Sequence, residues 1–321
     1  MKIIYRPTGL ALEYARIACN LYEGTCPHGC AYCWNRSMQK SGRLAGGEFR
    51  PKADALALLE SDCDWLAARA LKTGKFVPPI LFSFVGDVYA PGATITREAL
   101  QIVKCHGLSF SVLTKGGLAA ARDFDLYDEG PTGDRFGQTV VFSKDGGGDP
   151  YGTCRSRFEP GASMLQPRHA AAAKAYDMGI TTWLSLEPVC DAAQALDVIR
   201  WFAPVIHEFR LGPLNYGPLP DVKIVDAGFV SEAVPLLRES GRRWMLKTGA
   251  FRKAAEGLAV PWWGPQGDEA WREELSAEPC CSVCGCTEAR ACPQGCSWTD
   301  VPNVCSACLE TQEITEMEAG L

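Results

Sequence analysis

Residues 80-ILFSFVGDVYAPGATITREALQIVKCHGLSFSVLT-114 carry the pattern that decides the fold. An apolar run over 80–85 leads to a polar residue, Asp87. A helical stretch, 97-REALQIVKCHG-107, closes on a glycine suited to a helix C-cap. A second apolar run, 109-SFSVLT-114, then leads to Lys115. Strand, helix and strand in this order form a βαβ unit, and its strands lie parallel.

The unit recurs along the chain. Strands are expected at 138-QTVVFS-143, 180-ITTWLSL-186 and 207-HEFRL-211, with a weaker one at 243-RWMLK-247 and a first one within 14-YARIACN-20. Helices are expected over 168-RHAAAAKAYDMG-179 and over 192-AAQALDVIRWF-202, which stops before Pro204. Six or seven such units predict an α/β fold, a full or partial barrel rather than a sandwich. Chemistry in a barrel sits at the C-terminal strand ends. Polar residues collect there: Asp87, Lys115, Ser143 with Lys144, Glu187 and Asn215. Loops after strands are polar in any case, but five strand ends in succession favour a shared site.

Composition narrows the function. The chain has 321 residues, 47% hydrophobic and 22% charged, ordinary for a globular protein. The formal net charge of −6 weighs against a protein that holds nucleic acid mainly by neutralising phosphates, although a local basic groove stays open. The first residues, MKIIYRPTGLALEY, hold no apolar run of signal-peptide length, and no stretch approaches the ~18 apolar residues of a membrane span. A cytoplasmic protein with no membrane partner is expected.

Sixteen cysteines then need a reason. In a reducing compartment, clustered cysteines are more often metal ligands than disulfides. Cys19, Cys63, Cys105, Cys154 and Cys190 are scattered, and a scattered cysteine is by default a small buried hydrophobe. Cys26, Cys30 and Cys33 lie together in 24-GTCPHGCAYCWN-35, spaced C-x3-C-x2-C. A 4Fe–4S cluster on three cysteines keeps one iron without a protein ligand. The alternative is a zinc site completed by His28 or a distant residue, and His28 is too close in sequence to complete it comfortably.

The triplet, with Tyr32 before its last cysteine and a strand before the loop, resembles the radical SAM superfamily. That resemblance implies a partial (β/α)6 barrel of the TIM type over roughly residues 14–250. It implies a 4Fe–4S cluster on Cys26, Cys30 and Cys33 that chelates S-adenosylmethionine (SAM). It also implies an electron donor such as flavodoxin or ferredoxin, and reductive cleavage of SAM to a 5′-deoxyadenosyl radical that takes hydrogen from a substrate. Carried over by position, Asp87 with Ser83 would meet the ammonium of SAM, and Lys115 its carboxylate. Ser143 would meet ribose or carboxylate, Glu187 the ribose hydroxyls or the substrate, and Tyr32 the adenine.

Within the superfamily, NLYEGTCPHGCAYCW, LTKGG and FEPGASMLQPRHAAAAKAYDMGI resemble spore photoproduct lyase and its photolyase-like relatives. Those lyases split a thymine dimer in DNA and use a further cysteine as hydrogen donor. Cys154 and Cys190, after the fourth and fifth expected strands, are candidates for that role, each beside the plainer reading of a buried thiol. Glu159 and Arg168 match the relatives' E-P…R pattern; a mutual ion pair that pins the loop before the helix is at least as good a reading as substrate contact. SLEPV at the fifth strand is closer to phage-type relatives, and the C-terminal module is absent from the spore enzyme.

That module, 280-CCSVCGCTEARACPQGCSWTDVPNVCSAC-308, has zinc-ribbon spacing. Cys281/Cys284 and Cys305/Cys308 are two C-x2-C knuckles able to close a tetrahedral site. Cys286, Cys292 and Cys296, with Cys280 as a candidate fourth ligand, would hold a second metal; in the rival reading the three hold an auxiliary iron–sulfur cluster. From Cys280 onward six acids (Glu288, Asp300, Glu310, Glu313, Glu316, Glu318) face one base, Arg290, so a structural role or a protein partner is expected rather than nucleic acid. The expected organisation is a barrel over 1–255, a linker over 256–279, the module over 280–310 and an acidic tail over 311–321. Three functions are in play: a radical SAM enzyme acting on a nucleic-acid base or nucleotide, one acting on a peptide or protein, and a non-catalytic metal-binding adaptor.

Overall fold

The computed structural model describes residues 2–260 except 75, 131–132, 147–152, 216–218, 220–221, 223–226 and 248. The Cys-rich module, the tail and nearly all of the expected linker lie outside the described residues. Ten strands are described: β1 Ile4–Tyr5, β2 Ala18–Cys19, β3 Tyr22–Glu23, β4 Arg50–Pro51, β5 Ile80–Phe82, β6 Phe110–Thr114, β7 Arg135–Thr139, β8 Thr181–Val189, β9 Glu208–Pro213 and β10 Arg243–Leu246. Eight of them form one sheet in the order β1-β2-β5-β6-β7-β8-β9-β10, and β3 pairs with β4 as a small ribbon. β1 runs antiparallel to β2; every other pairing in the large sheet is parallel. This is a mixed α/β fold with a mostly parallel sheet.

The helices are α1 Trp34–Lys40, α2 Ala55–Thr73, α3 Thr96–Cys105, α4 Arg155–Phe158, α5 Leu165–Asp177, α6 Ala192–Phe202, α7 Ala227–Glu239 and α8 Ala250–Gly257, of which α2, α3 and α5 to α8 cover the outer face. Strand alternation sorts the side chains. Phe82, Val112 and Leu184 point outward into two apolar clusters with the helices. Leu81, Leu113 and Trp183 point inward, where Tyr14 and Phe84 join them. Gly107 and Gly179, the expected helix-closing glycines, take φ of +66° and +76° after α3 and α5, a region that favours glycine. α6 is capped by the Asp191 carboxylate, which accepts from the Gln194 N–H at 2.9 Å. No helix among the described residues is long and apolar enough to cross a membrane.

One strand is displaced from its expected position. β7 begins at Arg135, three residues before 138–143, because its first residues do not read as strand. Gly137 is there to admit Trp183: a Cβ on it would lie 2.3 Å from the indole. Arg135 is there to meet Glu208, its ion-pair partner at the start of β9.

Glu208 is 1% exposed, at the strand starts and opposite the site described below. Arg210 approaches it at 2.5 Å and Arg243 at 3.7 Å. Burial raises the Glu208 carboxyl, but the three guanidinium groups outweigh it and bring the carboxyl from 4.5 down to about 2. The folded value lies below the unfolded one. The stabilisation is therefore complete above about 4.5 and is lost as pH falls toward about 2, a span worth about 3 kcal/mol. Glu208→Gln is expected to lower neutral-pH stability by about that amount and to flatten acid unfolding over this window, as read by denaturant titration at several pH values.

Candidate functional site

The C-terminal ends of the parallel strands enclose a cavity of about 520 Å³. Strand order divides its wall. From the β2, β5 and β6 side come Cys26, Cys30 and Cys33, then Ser83 and Asp87, then Lys115. From the β8, β9 and β10 side come Ser185 and Glu187, then Asn215, then Lys247, with Tyr14 from the N-terminal segment.

The cysteine loop is built from two tight turns. The Gly29 N–H returns to the Cys26 carbonyl at 3.2 Å, with Gly29 at φ +62°, and the Cys33 N–H returns to the Cys30 carbonyl at 3.2 Å. The loop then docks on residues 158–161. Ala31 N–H donates to the Phe158 carbonyl at 2.8 Å, Gly161 N–H donates to the His28 carbonyl at 3.1 Å, and the Tyr32 hydroxyl donates to Glu159. His28 Nδ1 lies 3.0 Å from the Gly161 carbonyl and Nε2 3.0 Å from Asp87. Both ring nitrogens of His28 are engaged, which leaves neither for a metal.

Asp87 is saturated. Its Oδ1 accepts from the Tyr89 N–H at 2.8 Å and the Thr114 hydroxyl at 2.7 Å. Its Oδ2 takes the Lys115 N–H at 2.6 Å and faces His28. Burial raises this carboxyl, yet His28 and these bonds hold it well below the usual carboxylate range. A carboxylate has about four acceptor positions, and all are used. Asp87 therefore ties the cysteine loop to the ends of β5 and β6, rather than presenting a free oxygen to an ammonium group. Ser83 Oγ likewise donates within its own turn, to the Gly86 carbonyl at 2.7 Å.

Lys115 is different. Among the described residues its ammonium makes no ion pair, and it lies 5.5 Å over the Tyr32 ring. Burial disfavours its charge, but nearby negative charge, the Glu159 carboxylate included, more than restores it, so its pKa is raised. Burial pushes the Cys26 thiol up to about 11 and Cys30 to about 12. Such thiols become ligands only when a cation compensates the thiolate. Among the described residues no three His, Cys, Asp or Glu side chains are gathered as a single-ion site. A cubane cluster asks for something else, since each cysteine binds a different iron. Three thiols on one cavity wall, with Cys30 and Cys33 packed against Val141, Phe142 and Phe158, fit that group.

The other half of the wall is a polar cluster. Glu187 pairs with Lys247 at 2.6 Å, takes the Asn215 amide at 3.2 Å and accepts from the Tyr14 hydroxyl. Tyr14 Oη also lies 2.7 Å from Ser185 Oγ, and the Lys247 ammonium lies 3.9 Å over the Tyr14 ring. Gly212 makes room for this: a Cβ on it would come within 2.7 Å of the Glu187 carboxyl carbon. Tyr14 and Lys247 are absent from the sequence-based site. Lys247 ends the weak strand 243–247 as Lys115 follows its own strand, which is the signal that could have found it. Tyr14 lies before β2 and carries no such signal.

Three expected site residues are not among those lining the cavity. The Ser143 N–H donates to Gln194 Oε1 at 3.1 Å and its hydroxyl lies 3.4 Å from Asp197, both on α6, because β7 ends earlier than expected. Cys154 is buried at the start of α4, 3.5 Å from Ser156 Oγ. Cys190 is buried in the apolar wall behind Cys30 and Tyr32, and burial pushes its thiol to about 12. Glu159 and Arg168 form the ion pair read from the sequence, at 2.6 Å and fully buried.

No protein-family model and no curated protein match the chain. Solved structures do. A radical SAM methyltransferase from Sphaerobacter thermophilus is similar in fold, with a TM-score of 0.50 and 16% identity over 74% of this chain and 68% of that one. The fold is thus like that of a radical SAM enzyme. Streptococcus suis SuiB bound to its precursor peptide SuiA has a TM-score of 0.52 at 11% identity, over 74% of this chain and 50% of SuiB. A spore photoproduct lyase mutant has a TM-score of 0.50 at 14% identity, over 71% of this chain and 73% of that one. The chain thus spans half the length of SuiB. In this chain the cysteine loop lies at the cavity formed by the strand ends.

Proposed function

We propose that the chain is a radical SAM enzyme with the partial (β/α)6 barrel of that superfamily. It holds a 4Fe–4S cluster on Cys26, Cys30 and Cys33 and binds SAM in the cavity beside it. The observation that carries this reading is the convergence of three thiols from one short loop on a cavity at the strand ends, next to the Lys115 ammonium. When bound, the cluster supplies the electron that cleaves the sulfonium of SAM. Lys115 offers the cation for a carboxylate on the thiol side of the cavity. Glu187, already holding Tyr14, Asn215 and Lys247, orients hydroxyl and amine groups on the far side, where ribose or substrate is met. Tyr32 holds its ring beneath Lys115 and anchors the loop through Glu159.

The substrate we favour is a nucleic-acid base or nucleotide. The resemblance of NLYEGTCPHGCAYCW and LTKGG to spore photoproduct lyase supports it. The second reading is a peptide or protein substrate, favoured by the fold likeness to SuiB bound to a precursor peptide. The C-terminal cysteines Cys281, Cys284, Cys305 and Cys308 are assigned to zinc, with Cys286, Cys292 and Cys296 at a second metal, on their spacing alone. Flavodoxin or ferredoxin is the electron donor that fits, and a cytoplasmic setting suits an oxygen-sensitive cluster.

Iron, sulfide and zinc analysis of anaerobically reconstituted protein, with SAM cleavage assayed in parallel, tests this. About four irons per chain and formation of 5′-deoxyadenosine are expected. A variant truncated before Cys280 should keep the iron and lose the zinc. About eight irons falling to four on truncation would mean an auxiliary cluster and would favour the peptide reading. Absence of both iron and cleavage would sink the proposal.

A further inference from the structure

Behind the cysteine loop lies a buried charge pair whose carboxylate also supports the Lys115 ammonium. The Glu159 and Arg168 side chains are both 0% exposed and 2.6 Å apart. Glu159 also accepts from the hydroxyl of Tyr32, the residue next to Cys33. Arg168 also donates to the Ser163 and Thr139 carbonyls, each at 2.9 Å. The neighbouring wall is apolar: Val141, Phe142, Phe158 and Cys190 pack with Cys30 and Tyr32. A buried ion pair is a weak way to stabilise a fold compared with well-packed apolar residues of the same volume. Its field, however, acts strongly where water is excluded.

We propose that the Glu159–Arg168 pair is a charge-compensating positioning element that sets the reduction potential of an iron–sulfur cluster on Cys26, Cys30 and Cys33. This rests on the radical SAM reading given above. A cluster gains one negative charge on reduction, so nearby fixed charge moves its potential, along with hydrogen bonding and exposure. As a pair, Glu159 and Arg168 present nearly no net charge to the cluster. Arg168 stays cationic under all accessible conditions, so the balance depends on Glu159. Through Tyr32 the same carboxylate fixes the loop, which couples geometry and charge in one residue.

The test is a redox titration, followed by electron paramagnetic resonance, of full-length protein reconstituted anaerobically. Glu159→Gln leaves the Arg168 charge uncompensated and is expected to shift the potential in the positive direction. Tyr32→Phe cuts the hydrogen bond to the same carboxylate without changing charge and is expected to shift the potential by clearly less than Glu159→Gln. Breaking a buried pair is strongly destabilising, whereas removing both partners is often tolerated. The double variant Glu159→Gln with Arg168→Met therefore provides a second arm, and its potential is expected to return toward wild type. The inference is overturned if Glu159→Gln and Tyr32→Phe shift the potential alike, if neither shifts it, or if the double variant is displaced as in Glu159→Gln. A wild-type protein that binds no iron overturns the radical SAM reading itself, so the two failures are distinct.

Discussion

Cys30→Ala is expected to abolish cluster loading and SAM cleavage together. Cys30 is 7% exposed, and burial, helped by the Glu159 carboxylate, pushes its thiol to about 12 despite Lys115, so it has no reason to ionise without a bound cation. As a ligand it would be the middle of the three, held between the turn from Cys26 and the turn to Cys33 and fixed by the Ala31–Phe158 bond. Removing it leaves two thiols for a cluster that needs three. Iron content should fall from about four per chain to near zero. The fold should survive, because Cys30 packs in a small cluster separate from the two large apolar clusters under the helices. Cys105→Ala is the control. That thiol is exposed at the end of α3 and does not line the cavity, so iron and cleavage should match wild type. Undiminished cleavage in Cys30→Ala would show that the triplet is not the cluster site.

The two halves of the cavity wall differ in how their charges are settled. On the thiol side, Asp87 is consumed by internal bonds while Lys115 is left facing the cavity. On the far side, Glu187 and Lys247 neutralise each other and leave hydroxyl and amide groups at the surface. An anionic group is thus better received beside the thiols, and a neutral hydrogen-bonding group opposite. This is the order in which an amino-acid-bearing cofactor and a polar substrate would stack.

Much of this frame was legible in the residues. Apolar runs and closing glycines placed α3, α5 and α6 and most of the parallel strands, since period and C-cap chemistry are local. The same pattern put Asp87, Lys115, Glu187 and Asn215 at strand ends, and all four line the cavity. What was not legible depends on contacts distant in sequence. That Asp87 is saturated depends on His28 and Thr114, and that Gly137 belongs to a strand depends on Trp183. Tyr14 reaches Glu187 from 173 positions away. Ser143 fell outside the cavity lining because β7 ends at Thr139, a shift that turns its hydroxyl toward α6.

Gly161→Ala is expected to remove the cluster as effectively as the loss of a ligand, although residue 161 binds no metal. A Cβ there would stand 2.1 Å from the Pro27 carbonyl oxygen, 3.0 Å from its carbon and 3.1 Å from His28 Cα. All three are backbone atoms of the cysteine loop, so no side-chain rotation relieves the clash. The loop must move between Cys26 and Cys30, and both Gly161–His28 bonds go with it. A displacement of about 1 Å is enough to cost about 10²-fold where reacting groups must be held in register. Iron content should drop below about one per chain, with SAM cleavage lost in proportion. The cost to global stability should stay within about 1–3 kcal/mol, the usual range for overpacking. Gly46→Ala, whose added Cβ meets only Thr25 at an ordinary 3.7 Å, should load fully. The measurement is iron and sulfide content beside thermal unfolding of both variants. Full loading of Gly161→Ala would mean that the loop reaches its cluster-binding shape without docking on residues 158–161, and the site as described would have to be redrawn.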